Sequence, residues 1–376
     1  MTMRHPSVFR TGGSMTTVEE RLLPSAEPVQ LIDEHGGRHD NPQYGMPAPE
    51  ALVDGYAQLV VGRRINDQAS ALVRQGRLAV YPSSHGQEAC QVAATMVLGE
   101  QDWLFPTYRD TVSIVSRGVD PIETLTLLRG DWHSGYDPYE HNVAPQATPL
   151  ATQLVHAVGV AHAARLKGED TVVMALCGDG ATSEGDFHEA LNFAAVFKAP
   201  VVFFIQNNEY AISVPLARQT VAPSLAHKGI GYGVPGERAD GNDLAGLLAV
   251  LGAAVGRARA GEGPQLVEAH TYRVQAHTNA DDATRYRNDS EVTPWLERDP
   301  LKRLDAYLSA EGLLDDVRRS EAAAAADKVA EELRVGLMQE VSPDPAELFA
   351  HLYATPTPQL KEQAAFLQDE LSREEA

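Results

Sequence analysis

Two stretches of the sequence are apolar without interruption, and they constrain the fold more than any other feature. Residues 172–176 (Val-Val-Met-Ala-Leu) and 201–205 (Val-Val-Phe-Phe-Ile) contain no polar side chain. Strands that are buried on both faces have this pattern, whereas half-exposed strands alternate apolar and polar residues. Helical patterns separate the two stretches, and this alternation is typical of a parallel sheet flanked by helices. The sequence therefore predicts an α/β fold.

Hydrophobic periodicity divides the rest of the chain into further elements. Spacings of three and four predict helices over 49–75, 86–98, 111–116, 121–128, 150–166, 184–197 and 244–259. Strands are predicted at 29–33, 171–176, 201–205 and 265–272, and loops at 103–109 and 130–149. Helical patterns dominate from residue 300, although 320–338 is too rich in alanine and charge to form a core. We expect a disordered leader (1–28), an N-terminal strand, turn and helix (29–75), a ligand-binding domain (76–300) and a helical C-terminal extension (301–376).

The charge balance excludes two classes of partner. The chain has 31 basic and 52 acidic residues, which leaves a net charge of −21. A surface of this charge repels nucleic acid and anionic lipid, so neither is an expected partner. It suits a partner protein with a basic docking surface.

The expected compartment is a reducing one. Cys90 and Cys177 are the only cysteines, and each lies in an apolar stretch, so we expect two buried thiols and no disulfide. No segment approaches the ~18 apolar residues that a membrane span needs, and the N-terminus lacks the apolar core of a secretory signal. These features favour the cytoplasm of a bacterium, or the mitochondrial matrix if the source is eukaryotic.

Polar residues follow the two apolar strands directly. Gly178-Asp179-Gly180 follows the first, and Gln206-Asn207-Asn208 follows the second. Parallel strands bind ligands at their carboxyl ends, and a helix N-terminus there favours an anion. Mg²⁺ takes few protein oxygens together with phosphate oxygens, and Asp179 and Asn208 each offer one. The pattern therefore predicts a site for Mg²⁺ and a phosphate group.

A nucleotide-binding loop fits the glycine-rich turn less well. A dinucleotide loop needs a third glycine where Ser183 stands, and no acidic residue ends the next strand. The Gly-x-x-x-x-Gly-Lys-Ser/Thr pattern of a P-loop does not occur. A purely structural turn explains the glycines but not the two asparagines at the next strand end. A nicotinamide site and a structural turn remain as minor alternatives.

The combined pattern resembles the thiamine-diphosphate-binding motif. Gly-Asp-Gly is followed by 26 residues (181–206) and then by Asn-Asn. The wider string GDGATSEGDFHEALNFA at 178–194 is similar to α subunits of the decarboxylating first component of pyruvate and branched-chain 2-oxo acid dehydrogenase complexes. The resemblance extends from about residue 45 to 310, and it implies the thiamine-diphosphate-binding fold.

This resemblance implies a role for each residue of the site. The Mg²⁺ ligands would be the side chains of Asp179 and Asn208 and the Tyr210 carbonyl. The other cofactor contacts would come from Tyr108, Arg109, Thr148, Leu150, Gly178, Gly180, Ala181, Gln206 and His277. His277 would be the catalytic histidine, which donates a hydrogen bond to developing charge or assists acyl transfer to lipoamide. Thr152 and Gln153 would line a site for K⁺.

Two positions depart from the family pattern. Gln206 stands where branched-chain members commonly carry arginine, so a charged contact to the diphosphate is in doubt. Thr278 occupies the loop position that is phosphorylated in animal enzymes, so the sequence does not support such control.

The chain is not expected to act alone. Thiamine chemistry needs a carboxylate on the pyrimidine ring, and the sequence offers no candidate for it. The length has room for only one of the two domains that single-chain relatives contain. The resemblance therefore implies an α₂β₂ heterotetramer, whose β subunit supplies that glutamate, and a lipoyl-bearing acyltransferase as the second component.

The substrate is less well defined than the family. Residues 148–153 and 281–287 are closer to branched-chain members, whereas Phe187 and the segment from Gln206 onward also occur in bacterial pyruvate enzymes. We expect a branched-chain 2-oxo acid such as 3-methyl-2-oxobutanoate, with pyruvate as the first alternative and an acetoin-type or broad-specificity enzyme as a minor one. A metal-dependent hydrolase built on His277 and Asp281 and a non-catalytic scaffold are the alternatives of other classes.

Overall fold

The computed structural model describes residues 22–130, 135–339 and 344–374, so residues 1–21 of the predicted leader and 131–134 of a predicted loop lie outside the described residues. The strands of the described part are β1 (Trp103–Phe105), β2 (Val173–Gly178), β3 (Val201–Asn207), β4 (Tyr210–Ala211), β5 (Val214–Pro215), β6 (Gly236–Asp240) and β7 (Gln265–His270). Five of them form a parallel sheet in the order β1-β2-β3-β7-β6, and β4 and β5 form a small antiparallel hairpin. The predicted α/β fold is confirmed.

The central strands β2 and β3 separate two hydrophobic cores. Successive side chains of a strand point to opposite faces of the sheet. Met174, Leu176, Val202 and Phe204 accordingly belong to one cluster, and Val173, Ala175, Cys177, Val201, Phe203 and Ile205 to the other. Cys90 lies in the first cluster, and both cysteines are fully buried and free, as predicted. Burial on both faces is the physical reason why these strands contain no polar residue before their ends.

Helices cover both faces of the sheet. They are α1 (Pro49–Arg74), α2 (Glu88–Met96), α3 (Thr111–Ser116), α4 (Pro121–Arg129), α5 (Pro138–His141), α6 (Thr152–Lys167), α7 (Gly185–Phe197), α8 (Leu244–Arg259), α9 (Asp289–Glu297), α10 (Pro300–Ala310), α11 (Asp316–Gly336), α12 (Glu347–Ala350) and α13 (Pro358–Glu374). The helices α1, α2, α8 and α10 pack on one core, and α6 and α7 on the other. Asp120 and Asp243 begin α4 and α8 by accepting hydrogen bonds from first-turn N–H groups. Within the described ranges, no helix is long and apolar enough to cross a membrane.

Helix α11 corrects one expectation about the C-terminal region. The sequence suggested that this segment is too rich in alanine and charge to form a core. Instead one face is buried at every fourth residue, at Ala322, Ala326, Ala330 and nearby Leu333. That face packs on α1, and Leu333 joins Ile65, Ala69 and Leu72 in a third cluster. Small side chains let two helices approach closely, so alanine here contributes to the core.

The strand predictions are wrong in three places. The predicted loop at 103–109 begins with the edge strand β1, and the other edge strand, β6, was not predicted at all. The predicted strand at 29–33 forms only two isolated bridges, Val29 with Ala239 and Ile32 with Arg38. Edge strands have one neighbour and can be short or polar, so they lack the apolar signal of β2 and β3.

Candidate active site

A cavity of about 220 Å³ lies at the carboxyl edge of the sheet, where β2 and β3 end. The parallel register places Gly178 on β2 beside Gln206 on β3. The predicted site residues that line the cavity are Tyr108, Arg109, Leu150, Gln153, Gly178, Asp179, Gly180, Ala181, Gln206, Asn208, Tyr210 and His277. Thr148 and Thr152 are not among the lining residues, and Thr148 is exposed. The sheet thus gathers into one place residues that are far apart in the sequence.

Asp179 follows β2 and begins a short 3₁₀ helix, Gly180–Ser183. Only 2% of its surface is exposed, and its Oδ2 accepts a hydrogen bond from Gln219 Nε2 at 2.5 Å. Burial raises the pKa of this carboxyl above its ordinary value. A cation beside it would favour the charged form and offset that effect. The environment therefore fits a carboxylate that holds a metal ion.

The two adjacent asparagines make different contacts. Asn207 donates from Nδ2 to Glu268 Oε1 at 2.7 Å, and its Oδ1 accepts from the Glu209 N–H at 3.2 Å. Asn208 lines the cavity and donates from Nδ2 to Gln87 Oε1 at 3.0 Å, whereas its Oδ1 is buried without a hydrogen-bond partner. A buried oxygen without a partner costs about 1–3 kcal/mol. Both polar atoms of the Asn207 side chain therefore have partners within the protein, whereas Asn208 has an oxygen available for a ligand.

Tyr210 lies in the β4–β5 hairpin, whose backbone turns sharply beside the cavity. Glu209 and Ile212 both have positive φ, of 73° and 57°. Backbone in this region is uncommon for residues other than glycine and tends to cluster at functional sites. The Tyr210 carbonyl accepts a hydrogen bond from Arg273 Nη1 at 3.1 Å. A carbonyl oxygen has two lone pairs, so one remains for a second partner.

Arg109 fixes the protonation of His277. Its Nη2 lies 3.0 Å from His277 Nδ1 and 3.1 Å from the His277 carbonyl oxygen, and its Nη1 donates to the Ser83 carbonyl at 2.9 Å. A guanidinium can only donate, so Nδ1 is the acceptor and the ring proton is on Nε2. Burial, followed by the positive charges of Arg109 and Arg273, lowers the pKa of His277 to about 4. His277 is therefore a neutral imidazole near pH 7 with one N–H to donate.

Asp281 does not pair with the ring of His277. Its Oδ2 accepts from the backbone N–H of His277 at 2.8 Å and from the Tyr286 hydroxyl at 2.5 Å. In the described part of the chain, no group of three or more His, Cys, Asp or Glu residues is placed to hold a metal ion. The two contacts of Asp281 stabilise the loop that carries His277, and neither involves the imidazole ring.

Buried amides beside the cavity form a network that the sequence did not reveal. Gln206 accepts from Gln87 Nε2 at 3.0 Å and donates from its own Nε2 to Asp110 Oδ1 at 2.7 Å. Gln91 also donates to Asp110 Oδ1, at 3.1 Å. The side chains of Gln87, Gln91, Asp110 and Gln206 are all buried. Gln91 and Gln206 lie within a helix and a strand, whereas Gln87 and Asp110 immediately precede α2 and α3.

The start of α6 separates the remaining predicted residues. Thr152 donates to Asp186 Oδ2 at 3.3 Å, away from the residues that line the cavity. Gln153 donates from Nε2 to the Leu176 carbonyl at 2.8 Å, and its Oε1 is buried without a partner. Leu150 lines the cavity and also has 42% of its surface exposed to solvent.

The family of the chain follows from sequence comparison. A family model described as "Dehydrogenase E1 component" matches residues 57–335. The chain belongs to this family. It is 47% identical over 348 residues to the 3-methyl-2-oxobutanoate dehydrogenase subunit alpha of Mycobacterium tuberculosis. The aligned residues make up 92% of this chain and 95% of the relative. The chain is 39% identical over 296 residues to the pyruvate dehydrogenase E1 component subunit alpha of Staphylococcus aureus, which covers 78% and 80%.

Membership confirms the predicted activity class and subunit type. The chain is an α subunit of a 2-oxo acid dehydrogenase first component, and the family implies thiamine diphosphate as its cofactor.

Proposed function

We propose that this chain provides the diphosphate and metal half of a thiamine diphosphate site. The observation that carries the proposal is the buried Oδ1 of Asn208, which has no hydrogen-bond partner although the residue lines the same cavity as Asp179. A divalent cation bound to both residues would remove the cost of that unpaired oxygen. Carboxylate, amide and carbonyl oxygens are ligands that Mg²⁺ accepts. We assign the metal to Asp179, Asn208 and the Tyr210 carbonyl.

The space around the glycines fits a bound phosphate. A methyl group at Gly178 would meet no protein atom within 4 Å, although this residue lines the cavity. The missing side chain therefore leaves room for a ligand and not for another part of the protein. The backbone of Gly180 and Ala181 begins a helical turn, where N–H groups favour an anion.

The charged residues of the chain have separate tasks in this proposal. Thiamine diphosphate, when bound, supplies the carbanion chemistry of decarboxylation. Arg109 uses three of its five N–H donors on Ser83 and His277, which leaves two donors for a phosphate oxygen. The neutral His277 holds its proton on Nε2 and donates it as a hydrogen bond to negative charge that develops near the cavity. Tyr108 packs edge-on against His277, with ring centroids 6.0 Å apart.

A β subunit and a second component complete the proposed enzyme. Thiamine chemistry needs a pyrimidine-side carboxylate, for which this chain has no candidate, and we assign it to the β subunit of an α₂β₂ heterotetramer. The acyl group passes to lipoyl-lysine of an acyltransferase second component. Within the chain, we assign residues 76–300 to the cofactor-binding domain and 301–376 to a helical extension.

For the substrate we propose a branched-chain 2-oxo acid. Support comes from the Mycobacterium tuberculosis relative, whose name specifies 3-methyl-2-oxobutanoate and whose identity and coverage exceed those of the pyruvate relative. Pyruvate is the second candidate. The α and β subunits should be produced together and assayed by dye reduction on both substrates. A higher kcat/KM for pyruvate would refute the branched-chain assignment and leave the family unchanged.

The proposed K⁺ site rests on Gln153. Gln153 has a buried Oε1 without a partner, which is the kind of oxygen a monovalent cation would bind. Thr152 instead contacts Asp186. We therefore assign the K⁺ contact to Gln153, with Thr152 beside it in sequence.

The asparagine pair offers a matched test of the metal site. Asn208→Ala removes the proposed ligand, so we expect weaker Mg²⁺ binding in the presence of thiamine diphosphate. Asn207→Ala removes the same side chain one residue earlier and leaves Glu268 without one partner. We expect this control to lower the melting temperature and to leave the Mg²⁺ dissociation constant unchanged. Calorimetric titration of the complex with Mg²⁺ measures the dissociation constant of each variant, and thermal unfolding measures the melting temperature. Equal metal affinities in the two variants would refute the assignment of Asn208.

A further inference from the structure

Four buried side chains connect Asp110 to Asn208 in one line. Asn208 Nδ2 donates to Gln87 Oε1 at 3.0 Å, and Gln87 Nε2 donates to Gln206 Oε1 at 3.0 Å. Gln206 Nε2 then donates to Asp110 Oδ1 at 2.7 Å. All four side chains are at least nine-tenths buried. Gln206 and Gln87 each direct the NH₂ group toward Asp110 and the oxygen toward Asn208, and Asn208 directs its own NH₂ group toward Gln87.

The direction of this line is set by groups that cannot reverse. Oδ2 of Asp110 faces the backbone N–H of Thr107 at 2.7 Å, and a backbone N–H can only donate. On the other side, Gln91 Nε2 donates to the Arg109 carbonyl at 3.0 Å, and a carbonyl can only accept. The same Gln91 nitrogen faces Asp110 Oδ1 at 3.1 Å, so this oxygen also accepts. Burial raises the pKa of Asp110, and the hydrogen bonds from Thr107 and Gln206 lower it. In the carboxylate form both oxygens of Asp110 are acceptors.

An acceptor at one end fixes every amide in the line. Gln206 must turn its NH₂ group to Asp110, so its oxygen faces Gln87. Gln87 must then turn its NH₂ group to Gln206 and its oxygen to Asn208. Asn208 then donates from its NH₂ group to the Gln87 oxygen, and its Oδ1 has no hydrogen-bond partner. The two orientations of an amide have almost the same shape, so packing alone would not select between them.

We propose that Asp110 is a positioning residue for the metal site, which acts through Gln206 and Gln87 to keep Oδ1 of Asn208 available to the metal ion. The inference rests on the proposed function, because it needs Asn208 as a ligand. It assigns a task to Gln206, Gln87 and Asp110 that requires no contact with the cofactor. If all three amides were turned over, Asn208 would direct its NH₂ group at the cation. An amide nitrogen with two hydrogens cannot bind a cation.

Asp110→Asn tests the proposal because it changes the polarity of the line and hardly its shape. The introduced amide must keep its oxygen toward the Thr107 N–H, so its NH₂ group faces Gln206. Gln206 and Gln87 then turn over, and Asn208 presents its NH₂ group to the metal. Loss of a residue that orients a metal ligand typically weakens binding about 10–100-fold. We expect a weakening of that order for Mg²⁺ with thiamine diphosphate present.

A second substitution should restore the metal site. In Asp110→Asn with Gln87→Glu, the introduced carboxylate at position 87 accepts from both Asn208 and the reversed Gln206. Asn208 then keeps its NH₂ group away from the metal, and Mg²⁺ affinity returns to near the wild-type value. Gln91 meets the same NH₂ group at position 110 in both variants, so that cost cancels in the comparison.

The experiment is a calorimetric titration of Mg²⁺ into the complex of α and β subunits at saturating thiamine diphosphate. Asp102→Asn is the control, because Asp102 is another fully buried carboxylate that accepts from the Gly99 and Val172 N–H groups away from the cavity. It should lower the melting temperature and leave Mg²⁺ affinity unchanged. A weak Asp110→Asn variant that Gln87→Glu does not restore would overturn the proposal. Full affinity in Asp110→Asn, with weak binding in Asn208→Ala, would overturn it and leave the proposed function standing. Full affinity in Asn208→Ala would overturn both.

Discussion

Gly180 lies so close to the β4–β5 hairpin that a side chain does not fit. A Cβ at this position would be 2.7 Å from the Cβ of Ala211, whereas ordinary contacts are 3.4–4 Å. The φ of Gly180 is not positive, so Gly180→Ala adds a clash without backbone strain. The hairpin would have to move by roughly 1 Å, and overpacking of this kind costs ~1–3 kcal/mol. Since Tyr210 precedes Ala211 in that hairpin, we expect the cost to appear as weaker binding of Mg²⁺ and thiamine diphosphate, by about 5- to 150-fold.

Gly178→Ala is the matched comparison for this prediction. A methyl group there meets no protein atom within 4 Å, so the melting temperature without cofactor should not change. The methyl group would occupy space in the cavity, so cofactor affinity should fall directly. The variant Gly180→Ala with Ala211→Gly removes the Ala211 Cβ, with which the new methyl group clashes, and should recover affinity. The variant Gly178→Ala with Ala211→Gly should not. Dissociation constants from calorimetric titration test this prediction. An unchanged affinity in Gly180→Ala, or no recovery in its double variant, would refute the proposed clash with the hairpin.

Two further predictions concern a pKa and a helix contact. The positive charge of Arg109 helps to lower the pKa of His277, and Asp281 raises it. Arg109→Met should therefore move the acid limb of the kcat–pH profile to higher pH, and Asp281→Asn should move it to lower pH; shifts in the same direction would contradict this account. Ala326→Leu should overpack the α1–α11 contact and destabilise the protein by ~1–3 kcal/mol, while exposed Ala324→Leu should leave stability unchanged. Thermal unfolding of the two variants measures the difference.

The sequence predicted the fold well where burial is complete. The strands β2 and β3 are buried on both faces, so hydrophobicity alone located them. β6 reads Gly-Glu-Arg-Ala-Asp, with only Gly236 and Ala239 buried. β7 is its one neighbouring strand, and on the other side it has a single bridge, from Ala239 to Val29. Its existence depends on β7 beside it and not on its own composition. Local pattern cannot supply that information, since the hydrogen bonds of an edge strand come from a partner far away in sequence.

Parts of the site were predictable because strand ends converge. Asp179 and Asn208 each follow an apolar strand, and parallel pairing was sufficient to expect them at one cavity. Thr148 was expected there from the family pattern alone, and it lies exposed and outside the lining. Gln87 and Asp110 lie at the starts of α2 and α3, which no rule of strand pairing connects to β3. Their position beside the cavity depends on how the helices pack, and the local spacing of residues in the sequence does not predict that packing.

Gln206 has hydrogen-bond partners within the protein at both of its polar atoms. From the sequence, Gln206 looked like a lost phosphate contact, because an amide carries no positive charge. In the structure, one of its atoms accepts from Gln87 and the other donates to Asp110, so both polar groups already have partners within the protein. An arginine has only donors, so it could face Asp110 but could not accept from Gln87. Arginine at position 206 therefore fits beside the cavity only if the side chain at position 87 presents an acceptor to it. We expect the variant Gln206→Arg to bind Mg²⁺ well when it is combined with Gln87→Glu, and poorly when it is not.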